Sequence, residues 1–296
     1  MNFALIGVGG YIAPRHLEAI KTLGHKLVVA FDVNDSVGVL DRYFPDCRFF
    51  TQFERFEDFV SGLKNGPDKI DYVAICSPNY LHAPHIKFAL RQGASAICEK
   101  PLVLTVAELD EIGQVERDSG QRVYTVLQLR VHDAILALKE KVSRSSGKRH
   151  QVDLSYMTSR GQWYHESWKG DVRKSGGLST NIGVHFFDML TWIFGPMTSL
   201  QVSRSTPTLE EGTVSLEHAD VRWMLTIDRS QLPGDAVRAG KTTFRSIKID
   251  GEEFEFSEGF TELHQRVYAD ILAGRGYGLQ DAHAALAIVE KIRGSR

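Results

Sequence analysis

In the first half of the chain, apolar residues come in short continuous runs. Each run ends in a polar or glycine-bearing turn, and a stretch of helical spacing follows. Residues 3–6 form such a run, as expected for a strand buried on both faces. The turn Gly7-Val-Gly9-Gly10 comes next. Residues 14–23 then place Leu17, Ile20 and Leu23 at helical spacing, with Gly24 as the stop. The alternation repeats with a strand over 27–31 ending at Asp32 and a strand over 71–76 ending at Ser77-Pro78-Asn79. A helix over 82–92 and a strand over 94–98 lead into Glu99-Lys100-Pro101, followed by a helix over 105–119 and an apolar run over 122–128. Repeated strand–helix units predict a parallel, doubly wound α/β sheet. Ligands of such sheets bind beyond the carboxyl ends of the strands. Asp32, Ser77-Pro78-Asn79 and Glu99-Lys100 all fall at those ends, so one crevice is expected to gather them.

The pattern changes after Gln128. Residues 130–143 have helical spacing and 152–156 alternate. Strands are expected over 214–216, 220–227, 243–249 and 253–256, with Asp250-Gly251 as a hairpin turn. Two terminal helices are expected, over 261–273 and 281–293. Strands this close together predict a mostly antiparallel sheet in an α+β domain. The expected division is therefore 1–121 and 122–296.

Length agrees with that division, since 296 residues make two domains at roughly 150 each. A net charge of −2 gives no global positive field to attract nucleic acid or a membrane. The basic stretch 144–149 is read as a solvated loop. Cys47, Cys76 and Cys98 are odd in number and have no CxxC spacing, which points to reduced thiols in a cytoplasm. The apolar start, 3–8, lacks a basic flank and is too short for a signal peptide or membrane span. His82 and His85 are three apart with Pro84 between them, and no third ligand has helpful spacing, so no metal site is expected.

Candidate chemistry starts at the glycine turn. Glycines admit positive φ and let the backbone approach a pyrophosphate at a helix N-terminus. The match to G-x-G-x-x-G is incomplete: Gly7 and Gly9 fit, but Ile12 takes the sixth position. Plain tight turns use glycines too, so the turn alone is a weak signal. Asp32 adds to it, because an acid at the end of the second strand binds the ribose 2′-hydroxyl and repels a 2′-phosphate. NAD is therefore expected over NADP. The competing reading of Asp32 is the start of an Asx turn. Lys100 ends a buried strand, where desolvation lowers an ammonium pKa and makes the group chemically useful; a polar turn is the plain alternative. In the second half, 176–194 ends as an amphipathic helix. Asn181 and His185 are four apart and share a face, and Asp188 lies three further on. Gly177 and Gly183 leave room for another body to approach. A histidine can take a proton near neutral pH, although a lone one on an apolar helix is ordinarily a core or capping residue.

Together, Ser77-Pro78-Asn79-Tyr-Leu-His82, Gly93, Glu99-Lys100-Pro101, Gly176-Gly177 and Gly183-Val-His185 resemble the glucose-fructose oxidoreductase / inositol dehydrogenase family of NAD(P)-dependent sugar oxidoreductases. The resemblance spans essentially the whole chain. It implies a Rossmann domain followed by a domain with an open-faced sheet, and it makes Lys100 and His185 the catalytic pair. The family often has aspartate where this chain has Asn181, which moves weight onto His185 and Lys100. The stretches 9–16, 32–36, 158–164, 167–171 and 173–175 are similar to the bacterial branch that oxidises the C3 hydroxyl of UDP-N-acetylglucosaminuronate in O-antigen sugar synthesis. Some members of that branch recycle bound NADH with 2-oxoglutarate, and they are typically tetramers built through the sheet domain.

The cofactor residues expected are Gly7, Gly9, Gly10, Tyr11, Ile12, Asp32, Asn34, Ser36, Ser77, Pro78, Asn79, His82, Glu99, Lys100 and Gln128. The substrate residues expected are Lys100, Arg160, Trp163, Tyr164, Lys169, Arg173, Asn181 and His185. A UDP-uronate carries a diphosphate and a carboxylate. Arg160, Lys169, Arg173 and Lys174 supply cations for these, and Trp163, Tyr164 and Trp168 supply flat surfaces. A solvated basic loop is the competing reading. Two other functions stay open: a free-sugar or inositol dehydrogenase or NAD-dependent glycosidase of the same family, and a non-catalytic NAD-binding regulator. A regulator need not keep both Lys100 and His185, and this chain has both.

Overall fold

A computed structural model describes residues 1–145, 147–256 and 259–295. The chain divides into two units. One comprises Met1–Gln128 with Thr261–Ala282, and the other Leu129–Phe260 with His283–Arg296. The first unit is thus discontinuous: it takes in the segment that holds the helix Leu263–Leu272.

The first unit is built on six parallel strands: β1 (Asn2–Ile6), β2 (Lys26–Phe31), β3 (Arg48–Phe50), β4 (Tyr72–Ile75), β5 (Ser95–Cys98) and β6 (Val123–Thr125). Their order is β3-β2-β1-β4-β5-β6, so the direction of winding reverses between β1 and β4. In open α/β sheets a ligand crevice forms at that reversal. The sheet is apolar on both faces, with Phe3, Ala4, Leu5, Ile6, Val73, Ala74 and Ile75 all fully buried. Helices Ala13–Thr22, His82–Arg91 and Val106–Ser119 follow β1, β4 and β5. The last of these has a complete capping box: Thr105 accepts from the Glu108 N–H, while the Glu108 carboxylate takes the Thr105 N–H. The run expected over 122–128 is shorter than read. It is a strand only to Thr125, and Gln128–Val131 is a 3₁₀ turn.

The second unit has a six-stranded sheet ordered β12-β11-β7-β10-β9-β8, from β7 (His150–Thr158), β8 (Met197–Ser205), β9 (Leu209–Leu216), β10 (Ala219–Thr226), β11 (Thr243–Ile249) and β12 (Glu252–Glu253). Only β7 and β10 are parallel neighbours; the other pairs are antiparallel. Alternation sets the two faces. Val221, Trp223 and Leu225 are buried on one side of β10, and Trp223 meets Phe187 of the helix Val184–Phe194 edge-on at 5.5 Å. Asp153 and Arg222 lie on the other side, paired at 2.7 Å. The strand expected over 253–256 is confined to Glu252–Glu253, while the expected turn at Asp250-Gly251 is present, with Asp250 at φ 54°. In the basic stretch, Arg149 grips Asp220 through two 2.7 Å bonds and Lys148 meets Asp250 at 2.6 Å, so these cations face carboxylates. Ser146 of that stretch lies outside the described residues.

Candidate active site

The end of β1 runs into a glycine turn. Gly7 has φ +88°, and a Cβ there would lie 2.7 Å from the Cys76 carbonyl carbon and the Ser77 nitrogen. Only glycine lets the ends of β1 and β4 come this close. The Gly7 N–H donates to the Phe31 carbonyl at 2.8 Å, and the Gly10 N–H to the Gly7 carbonyl at 3.1 Å. Pro14 stands in the first turn of the helix Ala13–Thr22, where its missing N–H removes nothing, and no side chain caps that end. A helix N-terminus of this kind suits an anion.

Asp32 follows β2 and is half-buried. One of its oxygens accepts the Gly9 N–H at 2.9 Å, and the other the Asn34 N–H at 2.9 Å. Asn34 in turn accepts the Ser36 N–H at 2.9 Å. Asp32 thus opens an Asx turn, and each oxygen keeps a lone pair beyond these bonds. Tyr11 is 95% exposed, which leaves its ring open to a ligand.

The β4 and β5 ends are joined by histidine. His82 is buried, with Nδ1 2.7 Å from the Pro101 carbonyl and Nε2 2.8 Å from the Ser77 carbonyl. Its ring therefore acts on the crevice as a strut between the Ser77-Pro78-Asn79 turn and the Lys100-Pro101 segment. The Lys100–Pro101 peptide is cis. Ser77 Oγ meets His85 Nδ1 at 2.9 Å, and Asn79 is buried in its own short turn. Lys100 is lowered in pKa by burial, opposed by the Glu99 charge. Glu99 is buried as well. Burial alone would raise its carboxyl, but the hydrogen bonds from His16 and His264 outweigh this and hold it well below the usual range. After β6, Gln128 Oε1 is buried with no hydrogen-bond partner among the described residues. The glycine cradle, the acid at β2 and this orphaned acceptor fit a dinucleotide with an amide-bearing ring.

His16, Glu99 and His264 bring ligand-type atoms within 4.8 Å of one another. The sequence reading missed this group, because its members are 83 and 165 residues apart. Only one signal was available: all three sit in segments predicted to be helix or strand end, where a charge needs a partner.

In the second unit, Gly176 and Gly177 both have positive φ, and a Cβ on Gly176 would meet Thr180 at 2.5 Å. Ser179–Gly183 forms one π-helical turn before the helix Val184–Phe194. Such turns recur at functional sites. The i, i+4 relation between Asn181 and His185 therefore runs through widened backbone, not a regular helix. Buried Glu210 anchors the turn by accepting from Ser179 N–H at 2.8 Å and from its hydroxyl. Asn181 donates to the Tyr164 hydroxyl at 3.0 Å, and His185 is half-buried one turn on. At Gly183 the body that approaches is Leu225 of β10: a Cβ would sit 2.5 Å from its side chain. Asp188 is held by buried Arg130 through two bonds, of 2.8 and 3.1 Å, which fixes the helix bearing His185.

The loop 158–175 carries the expected cations. Lys169 lies 4.4 Å from the Trp168 ring and 5.7 Å from Trp163, and its pKa is lowered by burial and by Arg160. Arg160 is exposed, and Trp163 is 54% exposed. Arg173 is highly exposed and folds back on Asp171 at 3.2 Å, while Asp171 caps the short helix Val172–Ser175. Tyr164 is buried, so its hydroxyl, not its ring face, is what it presents to Asn181.

Residues 1–127 match the model of an oxidoreductase family with an NAD-binding Rossmann fold, and residues 139–228 match the C-terminal alpha/beta domain of the same family. A WlbA (WbpB) dehydrogenase from Thermus thermophilus, solved in complex with NAD and alpha-ketoglutarate, is 51% identical with a TM-score of 0.96, covering 99% of this chain and 94% of that one. Another structure, described as the same dehydrogenase with NAD and UDP-GlcNAcA, gives 50% identity and a TM-score of 0.95 over the same shares. The putative oxidoreductase YteT of Bacillus subtilis is 28% identical over 160 residues, 53% of this chain and 37% of the relative, so the match spans little more than a third of that curated relative. With both family domains in order, and half of all positions shared over nearly the full length of a solved member, the chain belongs to the Gfo/Idh/MocA oxidoreductase family.

Proposed function

We propose that this protein is an NAD-dependent dehydrogenase that oxidises the C3 hydroxyl of UDP-N-acetylglucosaminuronate, or a close nucleotide sugar, to the 3-keto sugar. Its setting is O-antigen and lipopolysaccharide sugar synthesis in the cytoplasm, with 2-oxoglutarate reoxidising NADH in place and a tetramer assembled through the open face of the second sheet. The observation that carries this reading is the 50% identity, over 99% of the chain, to a dehydrogenase solved with NAD and UDP-GlcNAcA.

The cofactor, when bound, accepts the hydride. His185 takes the proton of the sugar hydroxyl. Lys100 binds that oxygen and stabilises the developing alkoxide, an electrostatic role that gains strength where water is excluded. The hydrogen on C3 departs as hydride with both electrons of the C–H bond, C–O becomes C=O, and the hydroxyl proton goes to His185. Asn181, tied to Tyr164, orients a sugar hydroxyl. The indoles of Trp163 and Trp168 with Lys169, together with Arg160 and Arg173, supply flat surfaces and positive charge for the sugar carboxylate and diphosphate. Arg173 leaves Asp171 to do so. Gly7, Gly9, Gly10, Ile12 and the open N-terminus of the helix Ala13–Thr22 hold the pyrophosphate, Asp32 with Asn34 and Ser36 the adenosine ribose, and the Ser77–Asn79 turn with Gln128 the nicotinamide half.

The test is to mix the protein and NAD with a panel of UDP-sugars and free polyols, with and without 2-oxoglutarate, following absorbance and product mass. Turnover of UDP-N-acetylglucosaminuronate with a product two mass units lighter supports the reading. A response confined to inositol or another free polyol overturns it.

A further inference from the structure

Three buried histidines converge on Glu99-Lys100-Pro101 within the first unit. His16, from the helix Ala13–Thr22, places Nε2 2.9 Å from Glu99 Oε1. His264, from the helix Leu263–Leu272, places Nε2 3.0 Å from the same oxygen. The Tyr268 hydroxyl lies 2.7 Å from His16 Nδ1. That arrangement suits a neutral His16 that accepts from tyrosine and donates to glutamate, and burial lowers its pKa in the same sense. Glu99 Oε2 accepts the Lys100 N–H at 3.3 Å. On the far side of Lys100, the Pro101 carbonyl is taken by His82. The exposures are 0% for His16, 4% for His264 and 1% for His82, so water does not compete for these bonds.

We infer that Glu99, gripped by His16 and His264, is the positioning residue of Lys100. It holds the lysine backbone and sets a buried negative charge one residue away from it. This rests on the reading above that Lys100 binds the reacting oxygen. Glu99 itself touches no substrate, because its two oxygens are turned to His16, His264 and the Lys100 amide. Two buried donors on one oxygen keep the carboxylate charged at a depth where a lone acid would take up a proton. The ionisable neighbours of Glu99 are His16, His264, Tyr268, Cys76, Cys98, His82 and Lys100. Among these, Lys100 is the group whose ammonium form the carboxylate favours against its burial.

The experiment reads Lys100 directly and needs no substrate. Acetylation of the intact protein by acetic anhydride is followed against pH by mass spectrometry of the peptide containing Lys100. In Glu99→Gln the half-reaction pH of Lys100 falls by roughly one unit or more, while that of exposed Lys174 stays put. An unmoved Lys100 in a folded Glu99→Gln protein overturns the inference. If Glu99→Gln does not fold, His264→Leu and His264→Gln decide. The first removes a donor and lowers kcat by roughly 10- to 100-fold at unchanged KM, and the second keeps an N–H and restores it. Equal kcat in the two, or a loss confined to KM, overturns the inference. Silence of the wild-type enzyme toward every UDP-sugar refutes the substrate reading, and the acetylation result still stands.

Discussion

The carboxylate of Asp32 accepts the backbone N–H of Gly9 at 2.9 Å, which ties the end of β2 to the glycine turn after β1. A Cβ on Gly9 would come 3.2 Å from the same oxygen, so the acid and the bare backbone are fitted to each other. One side chain thereby shapes the turn and, in the function proposed above, carries the charge that selects the cofactor.

Asp32→Asn keeps an acceptor oxygen for Gly9 but removes the charge. NAD binding weakens by roughly 10- to 100-fold, the loss of a charge-assisted hydrogen bond. Preference over NADP falls as well, because a 2′-phosphate is no longer repelled. Titrating both cofactors against intrinsic fluorescence checks this, and unchanged discrimination would remove Asp32 from the ribose site.

Lys100→Met removes the ammonium group and keeps much of the bulk. With UDP-N-acetylglucosaminuronate as substrate, kcat drops by roughly two to four orders of magnitude, while the NAD dissociation constant stays within about threefold. Full activity in this variant would sink the assignment of Lys100. His185→Gln is expected to behave alike.

Asp188→Ala takes away the carboxylate that grips buried Arg130. Breaking such a pair costs about 3–5 kcal/mol, a fall in Tm on the order of 10 °C. The ΔTm by calorimetry, set against an exposed control such as Asp235→Ala, checks this. A Tm within about 2 °C of wild type would show that the pair does not hold the helix bearing His185.

His85 is buried against Ser77 and Phe53, and burial, helped by the charge of His82, pulls its pKa down to about 4. An unfolded imidazole titrates near 6.5. Between these values the unfolded chain holds more protons than the folded one, so stability from this group is complete above pH 6.5 and declines as pH falls toward 4. The decline amounts to roughly 3 kcal/mol. Urea unfolding at pH 7 and pH 4 measures it. His85→Gln should flatten the slope by that amount, and an unaltered slope would place the acid lability elsewhere.

Period and punctuation made the first sheet readable. Strands that run apolar on both faces and end at glycine, Asp32 or Ser77-Pro78 leave little ambiguity. The elements missed were short or half-exposed. β3 is three residues long, and β8 is a sheet edge whose side chains are largely exposed, so neither carries a strong apolar signature. The helix Phe53–Gly62 buries Phe56 and Val60 but is interrupted by charges on its other faces. The glycine turn, Asp32 and the strand-end lysine were legible because local backbone demands and charge placement appear in sequence. The partners of Glu99 were not, since nothing near residue 99 announces a histidine 165 positions later. The π-helical turn at 179–183 was hidden for a similar reason: Glu210, which anchors it, comes from β9.

The return of residues 261–282 to the first unit also bears on the order of events during synthesis. All six strands of the first sheet exist once Thr125 has been made, but Glu99 then has only one of its two histidines, and Phe3 and His16 lack the ring of Tyr268. At roughly 5–20 residues per second, the missing helix emerges some 8–30 s later. Through that interval a unit with its sheet complete but one helix missing waits on the ribosome with a charge half-satisfied in its interior. The whole second sheet is translated before the first unit can close around its lysine.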